Sequence, residues 1–128
     1  SVTRPGDEII VADPVYSPTR ILSQDFLKEF NIKTTFYNPH DLKTLKNSIT
    51  KKTKLIFVEN PGSNTFEFQD IGKVVSIAKK HKILTAIDNT WATPYFLKPI
   101  AFPSVRRSKS ILSILKISAR VMDLLQVS

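Results

Sequence analysis

An α/β fold, a mostly parallel sheet with flanking helices, is predicted by two features of the sequence. Four short apolar runs alternate with helix-like stretches, at a spacing that builds βαβ units. Three of those runs lack polar/apolar alternation, as expected for parallel strands covered on both faces.

The runs are Glu8–Ala12, Lys33–Tyr37, Leu55–Val58 and Ile83–Ile87. After the first, Ile21, Leu22, Phe26, Leu27 and Phe30 recur at three- and four-residue spacing and predict an amphipathic helix. Leu42, Leu45 and Ile49 predict a second, shorter helix. Ile71, Val74, Val75, Ile77 and Ala78 predict a third. That helix ends in Lys79-Lys80-His81-Lys82, cations that complement the negative pole of its dipole. Beyond Phe102 the chain turns polar and basic. Ile111, Leu112, Ile114, Leu115, Val121, Met122 and Leu125 are then read as one face of a docked surface helix interrupted at Ser118. The division is therefore residues 1–102 as one α/β unit and 103–128 as a divergent basic, helical tail.

Composition narrows the classes of function. A chain of 128 residues, 41% hydrophobic and 23% charged, suits one soluble domain with a single modest core. It has no apolar run near the roughly 18 residues that span a bilayer, and no signal-like start, so a cytoplasmic location is expected. With no Cys there is no disulfide framework and no thiolate metal site. The net charge of +8 raises nucleic-acid binding. Residues 1–104 carry 14 Lys/Arg against 10 Asp/Glu, however, and the lysines are scattered, which reads as solvated surface. His40 and His81 lack partners at metal-ligand spacing. Gly6, Gly62 and Gly72 are too dispersed for a dinucleotide or phosphate loop. Ser17 and Ser63 lack the His and Asp of a hydrolase triad.

In open parallel sheets the ligand crevice lies outside the carboxyl ends of the strands. Three loops follow apolar runs directly: Asp13-Pro14, Glu59-Asn60-Pro61-Gly62 and Asp88-Asn89-Thr90. One reading of Asp13, Glu59 and Asp88 is a Mg²⁺ site in a receiver-like or nucleotide-binding domain. The missing glycine-rich loop weighs against the nucleotide version.

Three segments carry a more specific reading. Ile87-Asp88-Asn89-Thr90-Trp91-Ala92-Thr93-Pro94 resembles the aspartate segment of the Cys/Met-metabolism enzymes that use pyridoxal 5′-phosphate (PLP). Glu59 through Glu67 resembles their loop rich in Pro, Gly and Ser, and Pro5-Gly6-Asp7-Glu8 leading into Ala12 through Thr19 is a third match. The resemblance implies part of the large PLP-binding domain of a fold-type-I, aminotransferase-like enzyme, usually a homotetramer acting on a sulfur amino acid. Within the family, Gly62-Ser63 and Trp91 are most like the cystathionine β-lyase type.

PLP is an electron sink that works best with its pyridine nitrogen protonated. The resemblance assigns the carboxylate that stabilises that nitrogen to Asp88. It assigns Tyr16 to stacking on the ring and assisting proton transfer, and Thr90 to the opposite ring face. Ser63 would make a polar contact near the phenolic oxygen or the substrate carboxylate, and Trp91 would pack beneath the site. The lysine that carries the cofactor is implied near Ser113, in a Thr-Lys-Tyr-like setting. Lys109 and Lys116 lack that setting, so neither takes the role. The pattern stops after Lys98-Pro99-Ile100-Ala101-Phe102, which suggests that the remainder is read out of frame. The expectation is a fragment, without the family's phosphate-binding segment and C-terminal domain, and inactive by itself.

Overall fold

The computed structural model describes residues 2–98 and 111–114. The elements are β1 (Glu8–Ala12), α1 (Ser17–Ile21), a π-helical turn (Leu22–Phe26), α2 (Leu27–Glu29), β2 (Lys33–Tyr37) and α3 (Leu42–Ser48). They continue with β3 (Thr53–Glu59), α4 (Ile71–Lys80), β4 (Leu84–Asp88), α5 (Thr93–Phe96) and β5 (Ile111–Ile114). The strands form one sheet in the order β2-β1-β3-β4-β5, with every neighbouring pair parallel. The winding reverses between β1 and β3, which opens a crevice at their carboxyl ends.

The interior strands are apolar because both faces are covered. Ile9, Ile10 and Val11 of β1, Leu55 to Val58 of β3, and Ala86 and Ile87 of β4 are all buried. Helix α4 lays Ile71, Val74, Val75, Ile77 and Ala78 into that core, the face its spacing predicts. Its first turn is capped by the Asp70 side chain, which accepts from the Lys73 amide at 2.9 Å. The Asp41 side chain does the same for α3, accepting from the Lys43 amide. Strand β2 lies at the sheet edge, which suits its polar sequence KTTFY.

Two segments differ from expectation. The helical stretch after β1 buries Thr19, Ser23 and Leu27, not the whole apolar stripe read from spacing. Ile21, Phe26 and Phe30 stay exposed, the last two with ring centroids 4.9 Å apart. The π-helical turn at Leu22–Phe26 inserts a residue into the helical repeat and rotates the stripe. Small Ser23 then meets the sheet, where its carbonyl accepts from the Thr34 hydroxyl. The second difference is Ile111–Ile114, placed by spacing on a helical face. It is a strand paired along β4 from Thr85↔Ile111 to Asp88↔Ile114. An unpaired β4 edge offers a row of free N–H and C=O groups, and an ILSI segment suits such a ladder. The rest of the 103–128 tail lies outside the described residues.

No helix among the described residues is long and apolar enough to cross a membrane. At the amino ends of β3 and β4, Lys51, Lys54, His81 and Lys82 line an open cleft, less scattered than their spacing in sequence implies.

The packing yields a direct comparison. Ile56 is fully buried in the central strand, so Ile56→Ala should cost about 3 kcal/mol in urea denaturation. Ile21→Ala, at a position 60% exposed, should change stability by less than ~0.5 kcal/mol.

Candidate functional site

Strand pairing alone brings two carboxylates together. Glu59 and Asp88 are the last residues of adjacent parallel strands and direct register partners. Side chains at paired positions share a face of the sheet. Both are buried, Glu59 at 1% exposure and Asp88 at 0%. Burial pushes the Asp88 carboxyl above the usual carboxylate range, against the opposing pull of the Thr90 hydroxyl and amide. Burial also raises Glu59, opposed by hydrogen bonds from Ser63 and Tyr16 and reinforced by the charge of Asp88.

The two carboxylates are not equally engaged. Asp88 Oδ1 accepts from the Thr90 amide at 3.0 Å, while Asp88 Oδ2 is buried with no hydrogen-bond partner. The Thr90 hydroxyl lies near enough to the carboxylate to act on it, yet is itself buried with no hydrogen-bond partner. A buried acceptor beside an unused hydroxyl is costly unless a ligand completes it.

Glu59 is fully engaged. Its Oε2 accepts from the Tyr16 amide at 2.6 Å, and its Oε1 accepts from the Ser63 hydroxyl. The Ser63 oxygen in turn accepts from the Trp91 indole N–H at 3.2 Å. Two further bonds close the β1 and β3 loops on each other. Pro14 O accepts from the Ser63 amide at 3.1 Å, and Val15 O accepts from Asn64 Nδ2 at 3.3 Å. Gly62 permits this approach, since a Cβ there would lie 3.1 Å from Pro14 Cβ, Cγ and O.

A second buried network holds the base of the β3 loop. The Tyr37 hydroxyl donates to Gln69 Oε1; Gln69 donates from Nε2 to Glu59 O and from its amide to Asn60 Oδ1. The Asn60 amide then donates to Asp88 O at 2.9 Å. Burial pushes the Tyr37 phenol well up, so it stays a neutral donor.

The structure therefore brings Tyr16, Ser63, Asp88 and Thr90 to one end of the sheet. Tyr16 is 43% exposed, and its phenol has no hydrogen bond among the described residues. Ser63 does not project freely, being held between Glu59 and Trp91. Trp91 does not pack beneath the site; it is 55% exposed, edge-on to Phe66 at 5.0 Å. The Mg²⁺ reading of Asp13, Glu59 and Asp88 fails. Asp13 is exposed and ion-paired to Arg20 at 2.5 Å, and Glu59 is saturated by Tyr16 and Ser63. Among the described residues no three His, Cys, Asp or Glu side chains gather as a metal site. His40, without an acid partner at short sequence spacing, bonds Glu67 at 2.7 Å across the loops. The part played by Glu59 as an anchor was missed from the sequence. Its signal was a strand-end acid followed four residues later by a Ser.

Comparison with known proteins gives a consistent set of likenesses. Residues 1–104 match the family model described as Cys/Met metabolism PLP-dependent enzyme. The chain is 46% identical over 96 residues to a Saccharomyces cerevisiae protein carrying a provisional cystathionine beta-lyase name, covering 75% of this chain and 28% of that one. It is 37% identical over 97 residues to the cystathionine gamma-lyase of Rattus norvegicus, covering 75% and 24%. Among solved structures, the cystathionine gamma-lyase of Lactobacillus plantarum in complex with L-serine superposes with a TM-score of 0.73 at 37% identity, covering 76% and 26%. The chain thus spans about a quarter of the length of these relatives.

Two consequences are measurable. With raised carboxyls, the native state binds more protons than the unfolded chain above about pH 4, so stability falls as pH rises through the native values. Asp88→Asn removes the share of that cost due to Asp88. In denaturant titrations without ligand it should be more stable than wild type at pH 7, by up to ~1 kcal/mol, and converge with it near pH 4. Gly62→Ala should destabilise the chain by about 1–2 kcal/mol, because the added methyl meets backbone as well as side chain.

Proposed function

The chain belongs to the Cys/Met metabolism PLP-dependent enzymes, and from that premise we propose that it is part of a carbon–sulfur lyase of the cystathionine β-lyase type. That reaction converts cystathionine and water to homocysteine, pyruvate and ammonia.

The observation that carries the reading is the unpartnered, fully buried Asp88 Oδ2. PLP supplies an electron sink for bonds broken at the substrate's α carbon, and a carboxylate at its ring nitrogen keeps that sink deep. A protonated pyridine nitrogen is the donor that Asp88 Oδ2 lacks, so the residues present fit the cofactor. Asp88 would hold a proton at that nitrogen, with Thr90 steering its other oxygen through the amide. Tyr16 would lay its unencumbered ring over one face of the cofactor and exclude water. The unused Thr90 hydroxyl would meet the other face. Ser63, donating to Glu59 and accepting from Trp91, keeps one lone pair for a polar contact at the site.

The choice of β-lyase chemistry rests on Gly62-Ser63 and Trp91 and on the name of the yeast relative. A γ-lyase is the second reading, favoured by the rat relative and the Lactobacillus structure. The parent enzyme would be a cytoplasmic homotetramer of methionine biosynthesis. This chain alone would not turn over substrate, because neither Lys109 nor Lys116 follows a Thr or precedes a Tyr. Residues beyond about 103 would be out-of-frame sequence, which the two other reading frames of the coding DNA should reveal as a Thr-Lys-Tyr-like stretch.

Cystathionine supplied with PLP and this chain should release no pyruvate above background. Reversible binding of pyridoxine 5′-phosphate should nevertheless occur, and Asp88→Asn should weaken it about tenfold or more, as loss of a charge-assisted hydrogen bond requires. Equal binding by both proteins would defeat the reading.

A further inference from the structure

We infer that Glu59 is the positioning residue of this site, holding the Tyr16 loop in place for a cofactor ring whose nitrogen meets Asp88. The inference rests on the PLP reading and extends it to a residue that touches neither cofactor nor substrate.

The geometry is specific to a carboxylate. Glu59 is 1% exposed and accepts two hydrogen bonds at once, from the Tyr16 amide and the Ser63 hydroxyl. Ionised, it is an acceptor at both oxygens; a glutamine has one acceptor oxygen and an NH₂ that would face another donor. These two contacts bridge separate segments, 43 residues apart for Tyr16 and four for Ser63. Glu59 itself is fixed by its place on β3, directly beside Asp88. One side chain therefore sets the Tyr16 backbone relative to the Asp88 carboxylate.

Packing gives no reason for a charge here. A second buried anion beside Asp88 raises the cost of the ligand-free fold, since each carboxylate disfavours ionisation of the other. A cationic heteroaromatic ring at Asp88 offsets both charges. Glu59 thus acts on the cofactor site through the Tyr16 backbone, which its hydrogen bond restrains.

The test uses the 128-residue chain, Glu59→Gln, Tyr16→Ala and the double variant. Amide hydrogen exchange at Tyr16, read by NMR without ligand, should accelerate about tenfold or more in Glu59→Gln, while Ile10 and Val11 of β1 exchange as in wild type. Affinity for pyridoxine 5′-phosphate, which lacks the aldehyde and so cannot react with lysines, is read from the emission of Trp91, the sole tryptophan. Glu59→Gln should weaken binding about tenfold, and should weaken it no further once Tyr16 is Ala. Unchanged Tyr16 exchange, or losses that add in the double variant, overturns the inference while leaving the cofactor reading intact. Accelerated exchange in a chain whose wild type binds no pyridoxine 5′-phosphate overturns the cofactor reading and leaves Glu59 as the anchor of the loop.

Discussion

Two buried carboxylates ending neighbouring parallel strands are the constraint around which the rest of the site is arranged. Register makes Glu59 and Asp88 neighbours, and both are buried. Charges so placed are unfavourable unless each is compensated. Glu59 is compensated from within the chain, by an amide and a hydroxyl. Asp88 is compensated on one oxygen only. This asymmetry distinguishes the two carboxylates.

The loops follow from that pair. The Tyr16 loop closes over the Glu59–Asn64 loop because Glu59 takes its amide, and Gly62 lets Pro14 approach. The same β3 loop is tied below to Tyr37, Gln69 and Asn60, so it is held from two sides. The proposed stacking of Tyr16 on a cofactor ring would need that rigidity, because a stacking contact presented on a mobile loop loses its gain to ordering entropy. The chain belongs to a family of PLP-dependent enzymes, and the reactions named for its relatives differ.

Much of this was legible along the chain. The four interior and edge strands, the buried face of α4 and the convergence of Asp88, Ser63 and Tyr16 at strand ends follow from local periodicity and motif. What escaped was long-range. The turn at Leu22–Phe26 shifts the buried stripe from large apolar residues to Thr19, Ser23 and Leu27, because a π turn depends on how closely the helix meets the sheet. Ile111–Ile114 joins β4 as a strand although its spacing also suits a helix, since four apolar-rich residues carry too short a pattern to decide.

The sequence by itself determined the class of fold and the family, and singled out Asp88 as the candidate cofactor ligand, because these depend on short stretches whose pattern is complete within a few residues. Only the tertiary structure decided that Asp13 belongs to Arg20, that Trp91 lies outward against Phe66, and that Glu59 secures Tyr16 from 43 residues away. Hydrogen bonds between distant segments leave no periodic trace in the chain; they exist only once the sheet has set which strand ends are neighbours.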